Sequence, residues 1–393
     1  MGYNSGALSF DPVIRLIGLP AVRSILHKEQ RVKIAITGLA NSGKTTLFNA
    51  LTGLNVETTV YATVTAEPHM GVVKVPDGRI DRLADIYHPK KTTYATIEYV
   101  DYIGLTKGDM EQNRKVFDLV KDAEAVVHVV RGFADESVAH PLGGVDPRRD
   151  AETVELEMIF GDLELVDKRL ERMEQGAKRG KKPDEAERKL LLKCKEILEQ
   201  ERALRDVDFT EEEIKAMSHL QFMSIKPLVI VINGGEEDIK SEKTQEALAL
   251  VSAFFKGRQV KVLGVCGKIE MEIAQLSPEE ARAFLDDLGI EEPALHRLIR
   301  VSYDLLGLIS FLTAGEDEVR AWTIHKGMNA QKAAGRIHSD IERGFIRAEV
   351  VSYDDFIGSG GSMAAAREKG QLRLEGKTYE VRDGDIINFR FNV

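Results

Sequence analysis

"GLANSGKT", residues 38–45, is the most specific signal in the chain. It overlays the phosphate-loop pattern G-x-x-x-x-G-K-[S/T], with Gly38, Gly43, Lys44 and Thr45 in the required places. An apolar alternation of Val32, Ile34 and Ile36 precedes it, and "KTTLFNALTG" follows with helical spacing. Strand, loop and helix therefore come in the order that the motif needs. Phosphates concentrate negative charge, and a glycine-rich turn entering a helix offers backbone N–H donors together with the positive end of the helix dipole. The loop backbone through Ser42 and Gly43 would cradle the phosphates, and Lys44 adds a full charge. Thr45 would present a hydroxyl to Mg2+ bridging the β- and γ-phosphates, and Thr46 a contact to the α-phosphate.

Further apolar runs lie downstream, at 95–104 ("ATIEYVDYIG"), 125–130 ("AVVHVV"), 227–234 ("PLVIVING") and 260–267 ("VKVLGVCG"). Short Val/Ile-rich strands separated by helix-length segments describe an α/β fold, a doubly wound, mostly parallel sheet with ligands at the carboxyl ends of its strands. Residues 32–150 and 223–304 make up this domain. Between them, over 151–222, Leu156, Ile159, Leu163, Val166, Leu170 and Met173 step by three and four, and Leu191, Cys194 and Leu198 share a second helical face. The turn "AKRGKKPD" separates the two stretches, so an inserted antiparallel helical hairpin is expected. Residues 305–393 read as a small α+β module, with strands at "EVRAWTIHKG" and "GKTYEVRDGDIINFRFNV" and a helix at "NAQKAAGRIHSDIERG". Residues 1–31 form an N-terminal extension. Its run "FDPVIRLIGLPAVRSIL" is interrupted by Arg15, Pro20 and Arg23, too short and broken for a secretory signal or a membrane span.

The 393-residue chain carries a net charge of −10, which argues against non-specific coating of nucleic acid. Nothing in it suggests a membrane partner or sequence-specific DNA recognition. Its two cysteines, Cys194 and Cys266, are far apart and outside any metal-ligand spacing, which fits a reducing cytoplasmic setting. The basic residues gather locally. Lys178, Arg179, Lys181, Lys182, Arg188 and Lys189 cluster at the expected hairpin tip, a pattern suited either to RNA phosphates or to a solvated turn.

A nucleotide switch also needs a γ-phosphate sensor, and "DYIG" supplies Asp-x-x-Gly at Asp101 to Gly104. Asp101 would reach the Mg2+ shell through water, and the Gly104 N–H the γ-phosphate. Thr65, with Thr63 as a near competitor, falls where a second metal-binding hydroxyl is expected. Base choice turns on "NGGE": guanine readers place Asn-Lys-x-Asp after this strand, whereas here Asn233 is followed by Glu236 and no lysine. Loss of the guanine-reading Asp removes the main penalty against ATP. Leu105 stands where many GTPases carry the water-orienting Gln, so another group orients water or turnover is very slow. His140, on the loop after the 125–130 strand, is the candidate base, since a neutral imidazole can accept a proton from water.

The phosphate loop, the hydrophobic residue after Asp-x-x-Gly, "NGGE", the helical hairpin and the C-terminal module together resemble the YchF / Obg-like ATPase family of translation-associated P-loop proteins. The resemblance runs from about Val32 to Val393. It is dense in "VDPRRDAETVELEMIFGDLELVDKRL", "LGIEEPALHRLIR" and "FLTAGEDEVRAWTI". It implies ATP preference, slow ATPase activity, ribosome association and a C-terminal β-grasp fold of the TGS type. It further implies that His140 is the catalytic loop histidine, that Asn41 helps to hold a K+ beside the phosphates, and that Cys266 and Gly267 lie in the last nucleotide loop, against the base. Two departures stand out. "TKGDMEQNRKVF" is shorter and poorer in glycine than the family's switch stretch, and Gly234 replaces a larger apolar residue beside the base. Three readings stay open: a slow ATPase whose nucleotide state controls association with the ribosome or translation machinery, ribosomal RNA included, a non-hydrolysing ATP-dependent binding switch, and a GTPase of the Obg type.

Overall fold

The computed structural model describes residues 32–57, 68–238, 241–256 and 258–392; the N-terminal extension, Thr63 and Thr65 lie outside them. In chain order the elements begin with β1 (Lys33–Thr37), α1 (Lys44–Thr52), β2 (His69–Lys74), α2 (Gly78–Tyr87), β3 (Lys91–Thr93), β4 (Thr96–Asp101), α3 (Met110–Val120) and β5 (Ala125–Arg131). Next come α4 (Pro147–Lys178), α5 (Glu185–Glu199), α6 (Glu211–Met217), β6 (Leu228–Asn233), α7 (Glu242–Phe254), β7 (Val260–Val265), α8 (Gly267–Ile273), α9 (Pro278–Leu288) and α10 (Ala294–Leu305). The chain ends with β8 (Leu308–Ala314), β9 (Glu318–His325), α11 (Ala330–Ile337), α12 (Ser339–Arg343), β10 (Phe345–Ser352), α13 (Tyr353–Gly358), α14 (Met363–Glu368), β11 (Arg373–Glu375) and β12 (Asp385–Phe391).

Two compact units result. The larger holds Val32–Pro76 and Thr96–Ile309 and contains a six-stranded sheet in the order β2-β4-β1-β5-β6-β7. All its pairs are parallel except β2 with β4, which makes β2 an antiparallel edge. β5 and β6 are buried along their whole length, which is why "AVVHVV" and "PLVIVI" read as unbroken apolar runs. Their carboxyl ends, with those of β1 and β4, meet the phosphate loop, at the edge where open α/β sheets place ligands.

The helical insertion is the antiparallel pair α4 and α5, held side to side by Arg169 with Glu187 and Lys195 with Asp167. α4 begins at an Asp146 N-cap with Pro147 behind it, and the turn after it closes through Gly180 at φ 83°. The seam does not run uniformly. Ala151, Val154 and Met158 pack into the core of the sheet domain, whereas Ile159 and Val166 join Leu191, Cys194, Ile197 and Leu198 in a second core within the insertion. Cys194 is fully enclosed there, and burial pushes its thiol up to about 11, as befits a small apolar core residue.

The C-terminal unit holds Ser310–Val393 together with Asp77–Ala95. The latter range falls inside 32–150, so the sheet domain's first stretch is interrupted by a segment that pairs elsewhere. β3 adds to β9 in parallel, at the edge of a sheet ordered β11-β10-β12-β8-β9-β3. Ile80 and Leu83 of α2 are fully buried, and Arg79 bridges Asp77 and Asp383. The stretch expected as one helix at "NAQKAAGRIHSDIERG" is two. His338 is extended at φ −162°, and its Nδ1 accepts from the Asp340 N–H to cap the second helix. No helix among the described residues is long and apolar enough to cross a membrane.

A buried ion pair ties the insertion to the sheet domain. Arg205 Nη1 donates to both Glu155 oxygens, at 2.6 and 2.9 Å, and Arg205 Nε donates to the Lys226 carbonyl. Both side chains are 3% exposed or less, and Arg258 Nη1 stands at 3.9 Å as a weaker second cation. Arg205→Met would strand the Glu155 carboxylate in the core and is expected to destabilise the protein by about 3–5 kcal/mol, read by urea denaturation. Restoring compensation with Glu155→Leu in the same chain should recover much of that loss.

Candidate nucleotide site

The phosphate loop is built from backbone shapes that its sequence permits. Gly38 and Gly43 lie at φ 143° and 90°, and Asn41, at φ 61°, is one of the few residues besides glycine that tolerates this region. Space is equally strict. A Cβ on Gly43 would come 2.2 Å from Asn233 Nδ2, and one on Gly38 2.3 Å from the Val129 carbonyl.

Lys44 is 8% exposed, and its Nζ donates to the Leu39 carbonyl at 2.9 Å. Burial lowers the ammonium's pKa to about 8, against the opposing pull of Asp101. Gly104 closes over this group, since a Cβ there would lie 2.9 Å from Lys44 Nζ and 2.8 Å from the Ala40 nitrogen. Thr45 Oγ1 donates to Asp101 Oδ2 at 2.8 Å. Asp101 Oδ1 is buried with no hydrogen-bond partner among the described residues. Burial raises the Asp101 pKa, with Thr45 and Lys44 pulling the other way. A divalent cation fits this donor set: a hydroxyl and a carboxylate side by side, with one carboxylate oxygen left over.

Asn233, at the end of β6, is a staple. Its Nδ2 donates to the Ser42 carbonyl at 3.1 Å, and its Oδ1 accepts from the Gly267 N–H at 2.9 Å. That amide is thereby taken up within the protein, while the Thr46 methyl packs towards Gly267. Gly234 donates its N–H to the Val265 carbonyl and leaves open space, for a Cβ there would come no nearer to another group than 3.7 Å, from Thr244 Oγ1. Glu236 stands exposed, 3.5 Å from Lys268 Nζ, a neighbour that sequence reasoning missed although it directly follows Cys266 and Gly267. Cys266 is buried, and burial raises its thiol pKa, so it is not set up as a nucleophile.

His140 is held differently from what a free loop base requires. Its Nδ1 accepts from the Leu142 N–H at 3.1 Å, and its Nε2 lies 2.8 Å from Asp150 Oδ2. The loop backbone next to it touches the phosphate loop, for Asn41 Nδ2 donates to the Ala139 carbonyl at 3.1 Å. Leu105 is turned into the core and its N–H donates to the Gly38 carbonyl, so that position offers nothing to a water. The residue that sequence reasoning passed over is His128, on β5 below Gly38. It is 1% exposed, and neither ring nitrogen has a hydrogen-bond partner among the described residues. Its signal was one polar residue inside an apolar strand.

Comparison with known proteins agrees with this arrangement. A model described as "50S ribosome-binding GTPase" matches residues 33–160, and the YchF-GTPase_C model, described as "Protein of unknown function (DUF933)", matches 308–392. "Ribosome-binding ATPase YchF" of Bacillus subtilis (strain 168) is 45% identical over 361 residues, covering 91% of this chain and 98% of its own. The chain belongs to the YchF family. The protein of that name from Escherichia coli O157:H7 is 41% identical over 364 residues, covering 92% of this chain and 99% of its own. The Schizosaccharomyces pombe YchF GTPase structure superposes with a TM-score of 0.77 at 28% identity, covering 92% of this chain and 98% of its own. The YchF relationship therefore spans both compact units.

Two outcomes are expected. Gly43→Ala should abolish nucleotide binding in calorimetry while leaving a folded protein, because the new methyl displaces Asn233. Burial, and then the Lys44 charge, lower the His128 pKa to about 3, so the unfolded chain takes up a proton that the folded chain refuses. That contribution is harmless above pH ~6.5 and costs stability as pH falls towards 3. His128→Leu should accordingly lose less stability than wild type between pH 7 and pH 5, measured by urea midpoints.

Proposed function

We propose that this YchF-family chain is a slow, Mg2+-dependent ATPase whose nucleotide state governs association with the ribosome. The observation that carries the reading is the buried Lys44 beside the Thr45–Asp101 pair at the head of the phosphate loop. A buried ammonium that among the described residues donates to one neutral carbonyl, next to a carboxylate with one oxygen unpartnered among them, is complementary to polyphosphate with a divalent ion. The ribosome part of the reading is supported by the relatives' name, "Ribosome-binding ATPase YchF".

Each site residue has a task in this reading. The amides from Gly38 to Thr46 bind the phosphates. Lys44 exchanges the Leu39 carbonyl for phosphate oxygens. Thr45 and Asp101 hold Mg2+, with Thr65 as the second hydroxyl; the ion, when bound, would supply positive charge to the β- and γ-phosphate oxygens. The Gly104 N–H faces the γ-phosphate, and Asn233 keeps the phosphate loop and the base loop in register. Gly234, Glu236, Cys266 and Gly267 line the purine, which is adenine because Glu236 stands in place of the guanine-reading Asp. His140 accepts the proton of the attacking water once its ring leaves its present partners. A finer reading adds K+ at the side-chain oxygen of Asn41, whose Nδ2 donates to the Ala139 carbonyl. The 305–393 module serves as a TGS-type docking domain.

The hairpin tip is the proposed RNA contact. Lys178, Arg179, Lys181, Lys182, Arg188 and Lys189 are all exposed; Arg188 has Glu185 at 3.9 Å, and Lys189 lies within the field of Glu213.

Paired calorimetric titrations should show ATP binding at least tenfold more tightly than GTP; equal or tighter GTP binding would favour the Obg-type reading. Single-turnover cleavage should fall about 10²-fold or more in His140→Ala. If wild type cleaves no ATP above the buffer blank even with ribosomes present, the binding-switch reading takes over. Neutralising the six tip residues should flatten the salt dependence of ribosome binding, and an unchanged slope would retire that surface.

A further inference from the structure

The geometry around His140 has a consequence for the rate of the reaction. Nδ1 accepts from the Leu142 N–H, so the ring proton sits on Nε2, where it is donated to Asp150. The basic lone pair of the imidazole is thus spent on a backbone amide. The histidine side chain is 6% exposed and the Asp150 side chain 3%. Asp150 is itself fixed: its Oδ1 accepts from Arg149 Nε and Nη2 at 2.9 and 2.7 Å. The same guanidinium donates to the Leu142 and Gly144 carbonyls, drawing the loop that carries His140 onto the first turn of α4. From the other side, Arg131 donates to the Phe133, Asp135 and Val138 carbonyls and fixes the loop's entry. Ala139 is bound to the phosphate loop, through Asn41.

We infer that Asp150 is a positioning residue that withholds His140: the Asp150–His140 contact keeps the imidazole docked on α4 with its lone pair occupied, and hydrolysis requires that contact to open. The inference rests on the reading of His140 as the base that faces water. It accounts for slow turnover without a missing residue, because the base is present but spends most of its time in a conformation that cannot act. The hinge is short. Ala139 stays against the phosphate loop while the next residue's ring turns, so the base is stored one residue from the loop it serves.

Asp150 differs here from the carboxylate of a hydrolase triad. In a triad the carboxylate orients one ring nitrogen and leaves the other free for the nucleophile. In this chain both nitrogens are engaged, so removing the carboxylate should speed the reaction rather than slow it.

The test is single-turnover ATP cleavage with Mg2+ in wild type, Asp150→Asn, His140→Ala and the double variant, with ATP affinity measured alongside. Asp150→Asn is expected to raise the cleavage rate at saturating ATP about fivefold to tenfold with ATP affinity unchanged, and the gain should vanish in the double variant. If His140→Ala cleaves as fast as wild type, the histidine has no catalytic role and the inference falls with it. If His140→Ala is slow but Asp150→Asn is no faster than wild type, the inference is overturned while the histidine's role stands. Should Asp150→Asn fail to fold, wild-type protein with 15N-labelled histidine decides. An Nε2–H tautomer for His140 in the nucleotide-free protein, with a changed spectrum on adding ATP and ribosomes, supports the docked ring. An Nδ1–H tautomer, or an unchanged spectrum, overturns it.

Discussion

A buried cation that, among the described residues, donates to a single neutral oxygen is the constraint around which the sheet domain is organised. Lys44 has left water, touches the Leu39 carbonyl and lies within the field of Asp101. That arrangement is tolerable only if the chain shapes around it are rigid, since a mobile loop would let water in and dissolve the site's selectivity for phosphate. Rigidity comes from contacts that exclude a single methyl group: Gly43 against Asn233, Gly38 against Val129 and Gly104 against the lysine itself. Asn233 then couples the phosphate loop to the start of α8. The chemistry of one ammonium is distributed in this way over five separated segments.

Much of this was legible in the residues. The glycines, Lys44 and Thr45 are specified by backbone geometry and charge, and such requirements leave little freedom in sequence. The buried strands were equally plain, because β5 and β6 are enclosed on both faces and read as unbroken apolar runs. Orientation was not legible. Nothing in "VAHPLGG" says that His140 turns towards Asp150 ten residues later, because that depends on the start of α4 and on the Arg149 fork. His128 was hidden by its neighbours, since an isolated polar residue in an apolar strand has no period to reveal it. Glu236 was visible as a departure from the guanine pattern, but its proximity to Lys268 joins residues 32 positions apart and depends on β7 lying beside β6.

The two ends of α4 face different problems. Near Pro147 the helix buries its small and β-branched side chains in the sheet core, and Asp150 meets His140 there. Further along it exchanges that core for the one it shares with α5, and it ends in a stretch of exposed lysine and arginine. A single unbroken element thus runs from the carboxylate next to the loop histidine to Lys178, the first residue of the cationic tip. Its 32 residues correspond to roughly 48 Å of rise.

The placement of Asp77–Ala95 bears on how the chain is made. α2 and β3 leave the ribosomal exit early, yet β9, which β3 pairs with, begins at Glu318, and Asp383, which Arg79 binds, is 304 residues from it. At typical synthesis speeds the wait between Ala95 and Glu318 is roughly 11–45 s. Through that interval Ile80 and Leu83 have no finished partner and must be shielded by chaperones or by non-native burial. Fragments truncated before β8 would carry the same exposed apolar face permanently, and should be the form most prone to aggregate.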